Sequence, residues 1–424
     1  MSEVSVRLNG TPVGILSQDD LGEMRLTYLP EWLETPNAKP LSLSLPLREA
    51  PFNMTECFPF FSGLLPDSAL IRKELGRVLQ MSSEDDFGLL SAIGRDCAGA
   101  VSIVPMDTPV IRDTDHPEKW VRKTEAELAD LLAALPNRPL YYDEDDGFFF
   151  SLAGVHDKIA VLVKNGEVVL PVNQTPSSHI LKIDIDGLPD SIRTENFCLT
   201  LARAVGIEAP NSEIRKAQEK PYMLVERYDR KIFRAADGTE RLKRVHQEDF
   251  CQALGVPPKN KYQLRGGPGF KDLIGTINKA SALPAKDVIK LLEYAAFNFV
   301  IGNPDAHGKN FSLVYRSARP VLAPIYDLNS AYPFRAHYKK QIPRLAMYIG
   351  TATTMPEVRT QSLREMAEEC DLRPKLVIDK FAEIATKARD LAPTLREEFR
   401  STVADTELLD DVVDYIAGQA EIFA

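Results

Sequence analysis

Cysteine is scarce in this sequence and is never paired. The five cysteines are far apart in the chain, and no two form a Cys-x-x-Cys pair: Cys57, Cys97, Cys198, Cys251 and Cys370. An odd number of scattered cysteines is typical of a reducing cytoplasm, where they serve as small core residues. This pattern excludes a disulfide scaffold and disfavours a zinc site.

Long apolar runs and an excess of positive charge are also absent. No uninterrupted apolar run is long enough to cross a bilayer, so we expect no membrane span. The first residues, MSEVSVRLNG, include an acidic residue at once and lack the apolar segment of a signal peptide. Against 61 Asp plus Glu stand 51 Lys plus Arg, which gives a net charge of −10, and such a chain is not expected to coat nucleic acid by itself. We therefore expect a cytoplasmic protein without a membrane anchor.

The length of 424 residues predicts two or three domains. Residues 4–28 alternate in the manner of strands around an Asn9-Gly10 turn, which predicts a β-hairpin. The acidic stretch 143–146 marks a plausible boundary. After it, a small β-rich lobe precedes a large helical one. The expected fold class is α+β, with an α/β N-terminal domain over residues 1–146 and a second domain over 147–424.

Several segments have helical patterns. We expect helices over 66–79, over 124–136 with Thr124 as N-cap, over 194–205, and from Pro284 onward. The last of these has an apolar face formed by Val288, Leu291, Leu292, Ala295 and Phe299. The polar segment 106–123 is interpreted as a connector.

The most informative stretch is 301-IGNPDAHGKNFSLVY-315, which follows the long helix. Four residues separate Asp305 from Asn310, the spacing of the catalytic loop in phosphotransferases of the protein-kinase type. In such a loop the Asp accepts the proton of the attacking hydroxyl group and the Asn reaches the metal that bridges the phosphates. One short loop can direct both side chains into one cleft.

A second carboxylate follows a predicted hairpin. Residues 311–315 and 321–325 flank a turn-rich segment, and the second strand is followed by Tyr326-Asp327. An Asp at the end of a strand, one hairpin after the D-x4-N pattern, is positioned to bind Mg²⁺. Because Mg²⁺ prefers oxygen ligands, Asn310, Asp327 and phosphate oxygens form a sensible shell. Asn, Pro, Asp and Gly also crowd into ordinary turns, but the complete order favours the functional interpretation.

Upstream, Lys182 is the candidate for an ATP-side lysine, although a lysine in a strand is usually a solvated edge residue. Glu195 is placed on the next helix, where a kinase has its Lys-pairing Glu, and a carboxylate at a helix start is also favourable through the helix dipole alone. No G-x-G-x-x-G or Walker A motif is present. The segment 151-SLAGVHDK-158 could bring backbone N–H groups close to phosphates.

Taken together, these motifs resemble the HipA-like family, the kinase toxins of type II toxin–antitoxin modules. The resemblance covers nearly the whole chain. It is carried by 60-FFSGLLPDS-68, 87-FGLLSAIGRDCAGAVSIVP-105, 151-SLAGVHDK-158, 224-LVERYDR-230, 246-HQEDFCQALG-255, 303-NPDAHGKNFS-312 and 324-PIYDLNSAYP-333. It implies an N-terminal α/β domain packed on a protein-kinase-like domain, with a nucleotide lobe near 147–230 and a helical catalytic lobe near 246–424.

The resemblance also implies roles for individual residues. Asp305 would be the catalytic base, and Asn310 and Asp327 would bind Mg²⁺. ATP would be bound by Ala153, Gly154, Val155, His156, Asp157, Lys158, Lys182, Glu226, Arg227, Tyr228, His307, Gly308, Lys309, Asn310, Tyr326 and Asp327. Within this set, 153–158 would form the phosphate loop and 226–228 would hold the adenine. Ser151, just before that loop, would be autophosphorylated, which would inactivate the enzyme.

Finally, the resemblance implies partners. The substrate would be an aminoacyl-tRNA synthetase, typically the glutamyl enzyme, and a HipB-like helix-turn-helix antitoxin would bind the toxin. Operator DNA would be contacted only through that antitoxin complex. Two alternatives remain: a HipA-like binding module that acts mainly as an antitoxin and operator co-repressor, and a small-molecule phosphotransferase, which the N-terminal motifs disfavour.

Overall fold

The structure is a computed structural model that describes residues 2–112, 118–135, 158–172, 174–235, 238–338 and 343–423. The chain divides into two compact units. The first unit contains Met1–Ile183, Ala217–Lys259 and Val314–Ala318, and the second contains Asp184–Lys216, Asn260–Leu313 and Arg319–Ala424. The predicted domain boundary at 146/147 lies outside the described residues.

The first unit begins with an antiparallel sheet in the order β3-β2-β1-β4. Its strands are β1 (Ser2–Leu8), β2 (Thr11–Gln18), β3 (Met24–Tyr28) and β4 (Val101–Pro105). Asn9 and Gly10 connect the first two strands with φ angles of 50° and 78°. Two positive φ angles are the signature of a type I′ turn, so the predicted hairpin is confirmed.

Among the described residues up to 135, five helices are present: α1 (Pro30–Leu33), α2 (Met54–Gly63), α3 (Ala69–Leu79), α4 (Asp86–Ile93) and α5 (Glu125–Ala134). The helix expected over 66–79 starts at Ala69 because Ser68 caps it. Thr124 caps α5 in a capping box with Glu127, as its sequence predicts.

The part of the second sheet that lies in the first unit contains β5 (Lys119–Arg122), β6 (Lys158–Lys164), β7 (Glu167–Val172), β8 (His179–Lys182) and β10 (Lys220–Glu226), in the order β5-β7-β6-β8-β10. The prediction that 106–123 is only a connector is wrong, since it includes β5. This strand was missed because Val121 is its only side chain that is not exposed, so it has no apolar alternation.

The two sheets share one hydrophobic core. Buried side chains from β1–β4 and α2–α5 form a continuous cluster with those of β6, β8 and β10, running from Val4 to Leu224 in the sequence. The N-terminal domain therefore packs on the β-rich lobe within this unit. The unit also contains β11 (Arg230–Arg234), β12 (Glu240–Arg244), β13 (Gln247–Asp249) and α7 (Phe250–Leu254).

The second unit is mainly helical. Its helices are α6 (Ser191–Ala204), α8 (Phe270–Ala280), α9 (Pro284–Val300), α10 (Thr360–Glu369), α11 (Pro374–Phe399) and α12 (Leu408–Ala420). The remaining strands are β9 (Ser212–Ala217), β14 (Ser312–Val314), β15 (Val321–Leu322), β16 (Arg344–Ile349) and β17 (Ala352–Thr354). α9 packs against α8 and α11, and α11 packs against α10 and α12. All five residues of the predicted apolar face of α9 are buried, which confirms that helix.

The cysteines behave as core residues. All five are buried, and each has a free thiol. Burial raises the pKa of Cys97 and Cys198 to about 12, so these thiols stay protonated at neutral pH. In the part of the chain that the structure describes, no helix is long and apolar enough to cross a membrane.

Candidate active site

The loop after α9 carries the predicted catalytic base, Asp305. Gly302 opens this loop with φ 72°, and a Cβ there would lie 2.6 Å from a ring carbon of Tyr415, so both backbone and space favour glycine. The His307 backbone N–H donates to the Asp305 carbonyl oxygen at 2.8 Å, and a single 3₁₀ turn follows over residues 308–310. The loop is therefore a tight turn between α9 and β14.

Asn303 connects this loop to the predicted metal-binding Asp327. Its Oδ1 atom accepts a hydrogen bond from the backbone N–H of Asp305 at 3.1 Å. Its Nδ2 atom donates to the Asn298 Oδ1 atom on α9 at 2.7 Å and to the carbonyl oxygen of Asp327 at 3.3 Å. One buried amide thus joins the helix end, the catalytic loop and the segment after β15.

Asp327 itself lies in the left-handed region of the backbone, with φ 57°. Few residues other than glycine adopt this conformation, although Asp and Asn tolerate it better than most. Tyr326 anchors the same segment, because its hydroxyl group donates to the Lys309 carbonyl oxygen at 2.7 Å. The hairpin and the catalytic loop are consequently tied together at two points, Asn303 and Tyr326.

The preceding hairpin is held against α9. The Ala323 N–H donates to the Ser312 carbonyl oxygen, which joins β14 to the end of β15. Asp287 on α9 accepts the Leu322 N–H at 2.9 Å, and Tyr294 donates its hydroxyl proton to the Ala323 carbonyl oxygen at 3.1 Å. The helix therefore fixes the path of the strand that leads to Asp327.

The orientation of Asn310 suits a metal ligand. Its Nδ2 atom donates to the carbonyl oxygen of Asp305 at 3.0 Å, which leaves Oδ1 as the atom that can bind another group. Asp305 is exposed and Asp327 is half-buried. An amide oxygen and a carboxylate are the hard donors that Mg²⁺ prefers, and these residues fit that ion.

The described residues contain no group of three or more His, Cys, Asp or Glu side chains that could hold a metal alone. In nucleotide sites Mg²⁺ is held by one or two carboxylates, phosphate oxygens and waters, and Asn310 and Asp327 would supply the protein's ligands.

The other predicted nucleotide residues of the loop are buried. His307 and Lys309 are 4% and 6% exposed. The His307 ring packs edge-to-face on Tyr262, with the ring centroids 5.4 Å apart. Gly308 donates its backbone N–H to the Lys261 carbonyl oxygen at 3.4 Å. These contacts give the loop a rigid backing.

In the first unit, Lys158 and Lys182 are register partners on β6 and β8. Directly opposite residues of an antiparallel pair lie on one face of the sheet, where like charges repel each other. Lys182 is buried, which adds a cost of desolvation. Two of the lysines predicted to bind ATP therefore lie side by side on one face of the sheet.

The predicted adenine segment 226–228 follows β10. Glu226 is exposed, while Arg227 is buried and directs its guanidinium group to Asp96 and Asp229. The Arg227 side chain is therefore engaged in ion pairs within the protein. The Tyr228 hydroxyl group donates to the Gln247 side chain.

Several residues predicted to belong to the site lie outside the described residues: Ser151, Ala153, Gly154, Val155, His156 and Asp157. Glu195 was expected at a helix start, but α6 begins at Ser191, so Glu195 lies in the second turn and is buried. A position beyond the first turn weakens the explanation by the helix dipole.

Comparison with protein families identifies the class. A family model for the HipA N-terminal domain matches residues 4–104, and a model for the HipA-like C-terminal domain matches residues 150–392. The two models place two HipA-type domains one after the other along this chain. The chain belongs to the HipA-like family.

Individual relatives agree with this assignment. Y4mE of Sinorhizobium fredii, which carries a kinase name, is 39% identical over 422 residues, covering 99% of this chain and 98% of that protein. The serine/threonine-protein kinase toxin HipA of Shewanella oneidensis is 27% identical over 441 residues, covering 99% and 97%. The solved complex of Shewanella oneidensis HipA with HipB and operator DNA matches with a TM-score of 0.82 at 24% identity, covering 99% and 96%, and shows the shared fold.

Sequence reasoning assigned no role to Asn298 or Asn303. Asn303 lies two residues before Asp305 in a motif that the sequence does highlight, and this Asn-x-Asp spacing was an available signal. Asn298 lies within α9, where nothing in the helical pattern distinguishes a buried amide from an exposed one.

Proposed function

We propose that this chain is a Mg-ATP-dependent serine/threonine protein kinase that acts as the toxin of a type II toxin–antitoxin module. The HipA-like family membership and the kinase names of its relatives support this proposal. The observation that carries it is the Asn303 amide, which joins the loop of Asp305 to the segment of Asp327. A turn without a functional role would not require a buried amide that connects these two segments.

The roles of the chain's own residues follow from kinase chemistry. The exposed Asp305 carboxylate accepts the proton of a serine hydroxyl group while that oxygen attacks the γ-phosphorus of ATP. The bond between the γ-phosphorus and the β–γ bridging oxygen breaks, and ADP leaves. Asn310 and Asp327 would hold Mg²⁺, which supplies neutralisation of phosphate charge when bound. Lys158 and Lys182 would bind phosphate oxygens.

The proposed protein substrate is an aminoacyl-tRNA synthetase, with the glutamyl enzyme as the first to test. The proposed partner is a HipB-like helix-turn-helix antitoxin. The solved complex of Shewanella oneidensis HipA with HipB and operator DNA supports that partner. With a net charge of −10, this chain would reach operator DNA through the antitoxin.

Phosphoryl transfer tests this function. The purified chain is incubated with γ-labelled ATP, Mg²⁺ and a panel of purified synthetases, and labelled protein is measured. Asp305→Asn removes the proton acceptor but keeps the size of the side chain, so we expect transfer to fall by about 10²–10⁴-fold. Asp371→Asn, an exposed acidic residue of the same unit at φ 55°, is the matched control and should leave transfer unchanged.

Transfer that survives Asp305→Asn would overturn the assignment of the base. No labelling of any synthetase by a chain that binds ATP would instead favour the alternative of an antitoxin and operator co-repressor. The same incubation tests Ser151: phosphopeptide mapping should find it modified in the wild type and unmodified in Asp305→Asn. Phosphate would add about −1.5 to −2 charges beside the phosphate loop.

A further inference from the structure

Five ionisable side chains are buried together in the first unit, and none of them takes part in the proposed phosphoryl transfer itself. They form what we call the buried ion cluster: Asp96, Arg227, Asp229, Arg230 and Arg244. Each side chain is at most 4% exposed. Asp96 comes from the N-terminal domain, between α4 and β4, whereas the other four follow β10.

Asp96 is the centre of this cluster. Its Oδ1 atom accepts hydrogen bonds from Arg230 at 2.9 Å and Arg244 at 2.8 Å. Its Oδ2 atom accepts one from the Ser177 hydroxyl group at 2.8 Å and lies 3.4 Å from Arg227. One carboxylate therefore contacts all three arginines.

The backbone beside Asp96 completes the connection. Arg227 donates to the Cys97 carbonyl oxygen at 3.1 Å, and Arg230 donates to that of Gly99 at 3.0 Å. In return, the Gly99 N–H donates to Asp229 at 2.7 Å. Gly99 has φ 71°, and a Cβ there would lie 2.6 Å from the Gln247 nitrogen, so glycine is required for this approach.

The charge balance makes Asp96 indispensable to the cluster. Three arginines and two aspartates have a net charge of +1. Burial alone would raise the pKa of Asp96, but attraction to Arg230, Arg244 and Arg227 outweighs burial and holds that pKa well below its usual range. Without the Asp96 charge, three buried guanidinium groups would share one carboxylate, and such unbalanced burial is strongly unfavourable.

The cluster also fixes the chain that would hold the adenine. Arg227 lies within 226–228, and Asp229 and Arg230 follow it directly. The Arg227 N–H donates to the Ser178 carbonyl oxygen at 3.0 Å, and the Asp229 carbonyl oxygen accepts the Val245 N–H at 2.8 Å. The path of this segment is thus defined by bonds at both its backbone and its side chains.

We propose that Asp96 of the N-terminal domain is a positioning residue for nucleotide binding, because it sets the exit of β10 where the adenine would lie. This inference rests on the proposed function. It makes the N-terminal domain part of the nucleotide site, and it assigns that role to the adenosine end of the ligand rather than to its phosphates.

The test compares the binding of two ligands, ATP and inorganic tripolyphosphate, by the wild type and by variants of Asp96. Asp96→Asn keeps the size of the side chain and removes its charge. We expect ATP affinity to fall and the KM for ATP to rise by about tenfold, the effect of one orienting interaction, while kcat at saturation stays within about twofold. Affinity for inorganic tripolyphosphate, which lacks adenosine, should not change. Calorimetric titration and initial-rate kinetics measure these quantities.

Arg7→Met provides a control for general destabilisation. Arg7 is a buried arginine of the same domain, 1% exposed, which bonds to the carbonyl oxygens of Thr108 and Pro109 and does not contact the cluster. It should lower the unfolding temperature without changing the preference for ATP over tripolyphosphate. Asp96→Glu, which restores the charge, should recover part of the ATP affinity.

The outcomes separate this inference from the proposed function. If the wild type binds no ATP, the proposed function fails. If the wild type binds ATP and a folded Asp96→Asn binds it equally well, the positioning role fails. An equal loss of ATP and tripolyphosphate affinity, or an equal loss in Arg7→Met, would also overturn it. Should Asp96→Asn not fold, the milder Ser177→Ala, which removes one bond to Asp96, is measured in the same way.

Discussion

Glu248 is a carboxylate enclosed by the first unit, only 1% exposed. Ser42 and Tyr315 donate their hydroxyl protons to it, and the Leu43 N–H donates at 3.1 Å. His246 lies beside these groups: its ring is stacked on Tyr315 and contacts the Leu41 carbonyl oxygen. Hydrogen bonds of Glu248 and His246 thus connect the Pro-rich segment after β3 to β13 and to the chain after β14.

Burial raises the pKa of Glu248 to about 7, in spite of the hydrogen bonds from Ser42, Tyr315 and Leu43, which lower it. Its ordinary value is 4.5. Between these two pH values the native state binds a proton that the unfolded chain has lost. The group therefore contributes stability that is complete below about pH 4.5 and is lost as the pH rises through 7.

Glu248→Gln replaces this acid with a neutral amide of the same shape. From pH 5 to pH 8 the wild type should lose about 2–3 kcal/mol of unfolding free energy relative to the variant. Urea unfolding of both proteins at the two pH values measures the difference. Burial lowers the pKa of His246 to about 4, which acts in the opposite direction, but this group is present in both proteins and cancels. A difference that does not depend on pH would contradict the assignment.

At the scale of the elements, the geometry of the candidate site depends on the junction between α9, the loop of Asp305 and the segment after β15. Asn303 serves it as a donor on one side and as an acceptor on the other. Asn303→Asp keeps the acceptor for the Asp305 N–H but turns an oxygen toward the Asn298 and Asp327 oxygens. We therefore expect the variant to lose the hydrogen bonds from residue 303 to Asn298 and Asp327 and to keep the one from the Asp305 N–H.

We expect Asn303→Asp to lower the unfolding free energy by about 1–3 kcal/mol, the cost of buried acceptors left without a donor. Phosphoryl transfer should fall by at least about tenfold, because Asp327 would no longer be held beside the loop. Thermal unfolding and initial rates measure the two effects. Asn278→Asp, the same change at an exposed residue of α8, should alter neither quantity. If Asn303→Asp, like Asn278→Asp, alters neither the unfolding free energy nor phosphoryl transfer, the junction has no functional role.

Elements with strong local signals could be predicted from the sequence. The Asn9-Gly10 turn has its own backbone chemistry, and α9 has an apolar face that begins at Pro284. β5 could not be predicted from the sequence, because an edge strand with exposed side chains has no apolar period. The start of α6 was misplaced by three residues because Asp190 occupies the N-cap position without a side-chain cap.

At the scale of the whole molecule, the sequence predicts which residues carry chemistry better than it predicts what holds them. Asp305, Asn310 and Asp327 stand out by residue type and spacing. The Asn303 bond to Asp327 spans 24 residues, and the Asp96 bond to Arg227 spans 131. No local pattern records such long-range partners, since they depend on how distant segments fold together.

The central claim is that Asn310 and Asp327, with Asp305 beside them, form one magnesium-nucleotide site. Calorimetric titration of ATP into the chain, with and without Mg²⁺, tests it most directly when Asp327→Asn and Asp305→Asn are compared with the wild type. We predict that the wild type binds ATP more tightly with Mg²⁺, that Asp327→Asn loses this magnesium dependence, and that Asp305→Asn retains it because the base does not hold the nucleotide. Equal affinity with and without Mg²⁺ in the wild type, or an undiminished magnesium dependence in Asp327→Asn, would contradict the account.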